Sequence, residues 1–116
     1  MSDGDCLFCK IVAGDISADV VLETDSTVAF RDVNPKAPMH VLVIPKRHIA
    51  TINDLSAGDE HLIGDLFLVA AKIADDEGLA DDGYRVVMNC NAAAGQTVFH
   101  IHLHLLGGRS LGWPPG

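Results

Sequence analysis

The sequence predicts an α+β domain: an antiparallel meander sheet of about five strands, with one long helix and one short N-terminal helix. Three observations carry this. Five segments of strand character follow one another with tight links. One stretch, Ser56 to Glu77, repeats its apolar residues with the 3.6-residue period of a helix. The chain has 116 residues, 48% of them hydrophobic. That is enough for a real core and fits one domain over residues 1–116, with no room for a second.

Residues 6–13, CLFCKIVA, form a short helix that stops at Gly14. Val20–Glu23 and Thr27–Asp32 read as a hairpin, with Asp25 and Ser26 supplying the turn chemistry. Asn34–Pro38 is a loop, because its two prolines fix φ and remove donors. His40–Ile44 is a buried strand stopped by Pro45. In the long helix, Ser56 with Asp59 resembles a capping box with Asp in place of Glu. Leu62, Leu66, Val69, Ile73 and Ile63, Phe67, Ala70, Ala74 give the helical stripe, and Gly78 closes it. Tyr84–Asn89 is a further strand, Asn91–Gln96 a loop of small residues, and Val98–Leu106 the last strand before Gly107-Gly108.

Charge and cysteines narrow the function. Sixteen acids against eight bases give a net charge of −8. A protein that grips a nucleic-acid backbone needs a basic face, so nucleic acid is not the expected partner. A small anionic ligand stays open, since loop amides and histidines bind phosphate locally. The longest apolar run, Leu66–Ala71, is far short of a membrane span, and no apolar signal segment opens the chain. The expectation is a soluble cytoplasmic protein with no membrane partner. An odd count of three cysteines argues against a disulfide framework. Cys6 and Cys9 form a C-x-x-C pair suited to redox chemistry or metal; metal fits better, because no strand precedes Cys6 as a thioredoxin-like unit requires. Cys90 reads as a small buried hydrophobe.

The chemistry concentrates in His100-Ile101-His102-Leu103-His104-Leu105-Leu106. Strand alternation puts the three histidines on one face, about 6.6 Å apart, and Ile101, Leu103 and Leu105 on the other. The apolar face is core. The histidine face suits a metal site using two of them, or a nucleophile flanked by donors. Gly95-Gln96-Thr97, just before, offers backbone amides, a side-chain amide and a hydroxyl. With no acid nearby, these suit an anionic substrate better than a second metal centre.

The chain resembles the histidine triad (HIT) superfamily, and most of all its Hint branch. The segments that carry the resemblance are AFRDVNPKAPMHVLVIPKRHI (29–49), GYRVVMN (83–89), GQTVFHIHLHLLGG (95–108) and WPPG (113–116). The resemblance implies a HIT-like fold and a nucleotidyl hydrolase with His102 as nucleophile. His104 then bonds a phosphate oxygen and His40 buttresses the triad. Gln96 bridges near the scissile bond, and Thr97 and Gly95 sit at the phosphate. Asn89 contacts the nucleotide, Asp32 accepts from the ribose hydroxyls, and Phe8, Ile11, Phe30 and Val33 enclose the base. One departure is visible. The family usually has glycine two residues after the Asn, where this chain has Asn91 and then three alanines. Asn tolerates positive φ better than most residues.

The resemblance also supplies the missing metal ligands. Cys6, Cys9, His48 and His100 match a structural zinc site, a closed Cys2His2 set with no open position. No organic cofactor is implied, and His61 is expected to be a solvated surface residue. The reading is a hydrolase of purine nucleoside 5′-phosphoramidates. A dinucleoside polyphosphate hydrolase or nucleotidyl transferase on the same fold stands second. A nucleotide-binding regulatory or scaffold module stands third. A homodimer is implied as well, and the long helix agrees, because it is apolar on more sides than one sheet face can cover.

Overall fold

The computed structural model describes residues 3–116. Its elements are α1 (Leu7–Ala13), β1 (Val20–Glu23), β2 (Thr27–Arg31), β3 (Met39–Pro45), α2 (Glu60–Asp76), β4 (Tyr84–Val87) and β5 (Leu103–Gly107). The five strands form one antiparallel sheet in the order β1-β2-β3-β5-β4. The first three make the expected meander. The last two exchange places, so β5 runs between β3 and β4, and the triad segment leads into the middle of the sheet.

Every residue of β3 is buried, because both faces of the sheet are covered. On one face Val41 and Val43 pack with Ile101, Leu103, Leu105 and the α2 stripe Leu66, Val69, Ala70, Ile73 and Ala74. On the other, Leu42 and Ile44 pack with Cys6, Phe8, Val28 and Phe30. A strand buried on both sides reads as a continuous apolar run, as His40–Ile44 does. Each fully buried aliphatic such as Leu66 or Ile73 contributes about 1.5–3 kcal/mol. α1 ends where expected: Gly14 takes the left-handed conformation (φ 82°) and donates to the carbonyls of Ile11 and Lys10.

The ends of several elements differ from the sequence expectation. The long helix starts at Glu60, not Ser56. Residues 56–59 close a turn instead: Asp59 N–H donates to Ser56 O, and the Asp59 carboxylate accepts from the Ser56 N–H at 2.9 Å and from Arg47. The last strand starts at Leu103, not Val98. The preceding residues find partners outside the sheet, with Ile101 N–H donating to Ile49 O (2.8 Å) and Val98 O accepting from Gln96. β4 stops at Val87, whose partner His104 is the last residue it pairs with on β5. Beyond it Cys90 is half-buried rather than buried, since it lies in a loop. β2 stops at Arg31, although Asp32 N–H still reaches His40 O at 3.0 Å. Among the described residues no helix is long and apolar enough to cross a membrane.

Candidate active site

The histidines lie on the α1 side of the sheet, and backbone carbonyls and amides fix which ring nitrogen of each is bare. His102 Nδ1 lies 2.7 Å from His100 O. A carbonyl only accepts, so Nδ1 carries the proton and Nε2 keeps its lone pair. Lys36 N–H donates to His40 Nδ1 at 3.0 Å, which puts the His40 proton on Nε2. That Nε2–H donates to His104 Nδ1 at 2.9 Å, with the Asp32 carboxylate at 3.4 Å as a second acceptor. His104 is therefore left with a proton on Nε2, as a donor. One backbone carbonyl and one backbone amide thus set up a bare nitrogen on His102 beside an N–H on His104; the two ring centroids are 5.0 Å apart.

Electrostatics keep these rings neutral. Burial holds His102 below the ordinary histidine range, against the opposing pull of the His100 carbonyl and Asp32. His104 is lowered to about 4, by burial first and then by His102 and His40, with Asp32 opposing. Burial also lowers His40, again against Asp32, and Lys36 adds to the lowering. A neutral imidazole is the nucleophilic form.

His102 and His104 line a cavity of about 430 Å³, enough for a base and ribose. Phe8, Ile11, Phe30, Asp32, Val33 and Thr97 also line it. Of the ten positions expected to bind nucleotide, seven, with His104, meet here. The cavity is apolar where a base would sit. Phe8 stands edge-on to both Phe30 and His102, with centroids 5.4 and 5.1 Å apart, and Val33 lies almost fully exposed at the rim. The Asp32 carboxylate is oriented by the Asn34 N–H at 2.8 Å. Asn89 and His40 line an adjoining cleft that shares Asp32, Asn34 and His104 with the first.

Gln96 does not line either cavity. Its amide is buried inside the loop: the oxygen accepts from Asn91 N–H (2.8 Å) and the nitrogen donates to Ala50 O and Val98 O. It ties the loop at Asn91 to Ala50 and Val98 just before the triad. Gly95, at φ 93°, closes the 3-10 turn Ala92–Ala94. Asn91 takes the one positive φ (67°) that a non-glycine residue adopts among the described residues, so the three alanines are spared it. His61 is exposed on α2, 3.5 Å from Asp65.

On the far side of Phe8, Cys6, Cys9, His48 and His100 bring their ligand atoms within 4.8 Å of one another, a group that could hold a metal. Cys6 Sγ is 3.4 Å and Cys9 Sγ 3.5 Å from His100 Nδ1, and Cys9 Sγ is 3.2 Å from His48 Nδ1. Sulfur–nitrogen edges of a tetrahedral zinc site, built from bonds near 2.3 and 2.1 Å, are about 3.6 Å, so the residues fit. His100 is prepared for the role. Its Nε2 lies 2.7 Å from Pro45 O and donates to it, leaving Nδ1 bare toward the thiols. Cys9 N–H donates to Cys6 Sγ (3.3 Å), which caps α1 and orients the pair.

The sequence reading missed three cations, Lys36, Arg85 and Arg109, which line the adjoining cleft. Strand alternation was the available signal for one of them, because it puts Arg85 on the same face as Asn89.

Comparison with known proteins bears on the family and the fold. Residues 13–111 match the model of the HIT domain family. The chain is 53% identical over 106 residues to the purine nucleoside phosphoramidase of Escherichia coli strain K12, covering 91% of this chain and 89% of that protein. A HIT family hydrolase from Legionella pneumophila superposes with a TM-score of 0.95 at 55% identity, over 97% of this chain and all of the other. A histidine triad protein from Clostridium difficile superposes with a TM-score of 0.92 at 40% identity, over 97% of each chain.

Proposed function

The chain belongs to the HIT domain family, and from that premise we propose that it cleaves the P–N bond of purine nucleoside 5′-phosphoramidates. It is a hydrolase of that family. The base enters between Phe8, Ile11, Phe30 and Val33, and Asp32 accepts from the ribose hydroxyls. His102 Nε2 attacks the α-phosphorus. A P–Nε2 bond forms, the P–N bond to the amine breaks, and the amine leaves with a proton drawn from solvent. His104 Nε2–H and Thr97 steady the phosphoryl oxygens. Water then attacks phosphorus and gives up a proton to solvent as the P–Nε2 bond breaks, restoring the lone pair and releasing the nucleoside monophosphate.

The observation that carries this reading is the bare Nε2 of His102, fixed by the His100 carbonyl, at the end of an apolar cavity of base size. The test compares turnover of adenosine 5′-monophosphoramidate with that of a diadenosine polyphosphate. Efficient release of AMP and amine from the first, with little from the second, is expected; the reverse order contradicts it.

Zinc is the metal best suited to Cys6, Cys9, His48 and His100, as a structural ion that pins α1 to the triad segment. Those thiols suit a reducing compartment, the cytoplasm. Phe67 and Leu68, both exposed on the outer face of α2, support a homodimer in which a second copy covers them.

A further inference from the structure

The metal group and the nucleotide cavity share one wall. Cys6 and Cys9 bracket Leu7 and Phe8, and both of those residues line the cavity, followed along α1 by Ile11. The opposite wall belongs to the sheet side: Phe30, Leu42, and His102 and His104 of the triad. The remaining two metal-group residues come from that same side, His48 just after β3 and His100 just ahead of β5. A nucleotide in the cavity and a metal in the Cys2His2 group would therefore both fill the seam between α1 and the sheet.

We propose that the two ligands bind cooperatively: the metal tightens the hold on the nucleotide, and the nucleotide tightens the hold on the metal, with the Phe8 ring as the link. α1 is 7 residues long. A helix that short is not stable by itself in water, so its position depends on what it docks against. The backbone bonds that close it are local, Gly14 N–H to Ile11 O at 3.1 Å and Asp15 N–H to Lys10 O at 2.9 Å. Within α1 only Phe8 is buried, next to the buried cap residue Cys6. The Phe8 ring stands edge-on to both sites, its centroid 6.0 Å from His100 and 5.1 Å from His102. A second link runs through the chain: the His100 ring belongs to the metal group, while its carbonyl oxygen lies 2.7 Å from His102 Nδ1. A metal that holds Cys6 and Cys9 against His48 and His100 also holds Phe8 against the sheet. A base seated on Phe8 keeps α1 in the same place, and so keeps the two thiols beside the two imidazoles. Whichever ligand binds second meets a wall already ordered by the first.

Cooperativity of this kind presupposes both readings above, a purine nucleotide in the cavity and zinc in the thiol–imidazole group, and the measurements tell the three apart. AMP affinity is measured by calorimetry on zinc-loaded and on metal-free protein, with circular dichroism at the same temperature to follow the fold. Zinc affinity is measured by competition with a chromophoric chelator, with and without saturating AMP. AMP is expected to bind about 5- to 20-fold more tightly to the zinc-loaded protein, and to raise zinc affinity by the same factor, because coupling is reciprocal. Phe8→Leu keeps all four metal-group residues; it should still take up about one zinc per chain while both factors move toward one. Cobalt(II)-loaded protein gives a reading that needs no metal-free state and decides alone if that state is unfolded: AMP should shift its visible ligand-field bands in the wild type and leave them in place in Phe8→Leu. Zinc and AMP both bound, with affinities indifferent to each other and an unmoved cobalt spectrum, overturns the inference and leaves both sites standing. Coupling undiminished in Phe8→Leu overturns the ring as its carrier. Protein that takes up no zinc, or that binds no AMP when loaded, removes the corresponding reading and the cooperativity with it.

Discussion

His100 and His104 sit four residues apart on one alternating segment, and the fold gives them opposite tasks. His100 is fully buried; its Nε2–H is held by Pro45 O, and its bare Nδ1 faces two thiols. His104 is half-buried; its Nδ1 is taken by His40, and its Nε2–H is left for a ligand. Residue type and spacing are the same at both ends. The difference lies in which ring nitrogen a neighbour occupies, and therefore in whether the other nitrogen is a lone pair or a donor. His102, between them, has the His100 arrangement inverted, with Nδ1 protonated and Nε2 bare. Reaction and scaffold are thereby separated along about four residues of chain.

The strongest way to break this division is at its centre. His102→Ala should lower kcat by about 10³-fold or more, because no other group supplies the lone pair. Its melting temperature should stay near that of the wild type. An active variant would place the chemistry elsewhere.

The metal end should respond in the opposite sense. Cys6→Ser with Cys9→Ser, or chelation of purified protein, should lower the melting temperature by about 10 °C. Activity measured well below that temperature should fall only modestly. Elemental analysis should find one zinc per chain in wild type and in His102→Ala, and none in the serine variant. Loss of all activity with the fold intact would merge the two ends into one catalytic centre.

A smaller effect is expected at the ribose. Asp32→Asn removes a charged acceptor and should cost about 1.5–3 kcal/mol for ribonucleotide substrates while narrowing the gap to deoxyribonucleotides. Steady-state kinetics on the two sugar series reads it directly. An unchanged ratio would mean that Asp32 serves only His40.

The smallest effect is in pH. His104 titrates near 4 in the folded protein and near the ordinary 6.5 when unfolded. Above pH 6.5 both states are neutral and the group contributes nothing. As pH falls from 6.5 toward 4, the unfolded chain takes up a proton that the folded one refuses, so stability declines over that window. Urea denaturation of wild type and His104→Asn at matched pH should show a smaller decline in the variant. Equal slopes would mean that His104 is as easily protonated folded as unfolded.

Much of this was legible in the sequence, because burial leaves a periodic trace. The all-apolar run of β3 and the α2 stripe mark the core, and alternation through Ile101, Leu103 and Leu105 puts the histidines together. The triad's strand was read too long for a physical reason. Side-chain alternation records an extended backbone, whereas a strand also needs a ladder partner, and Ile101 bonds to the loop at Ile49 instead. Gln96 shows the same limit: its type suits a ligand donor, but Asn91, Ala50 and Val98 take up its amide. The tautomers rest on single backbone groups such as Lys36 N–H and Pro45 O, which carry no residue-type signal.

The central claim is a covalent nucleotide on His102, and rapid acid-free quenching during turnover, followed by peptide mass spectrometry, tests it most directly. The account predicts a nucleoside monophosphate adduct on the peptide containing His102, absent from His102→Ala. Turnover of wild type with no adduct at any time, together with inversion of configuration at a chiral phosphorus, would contradict it and point to direct attack by water.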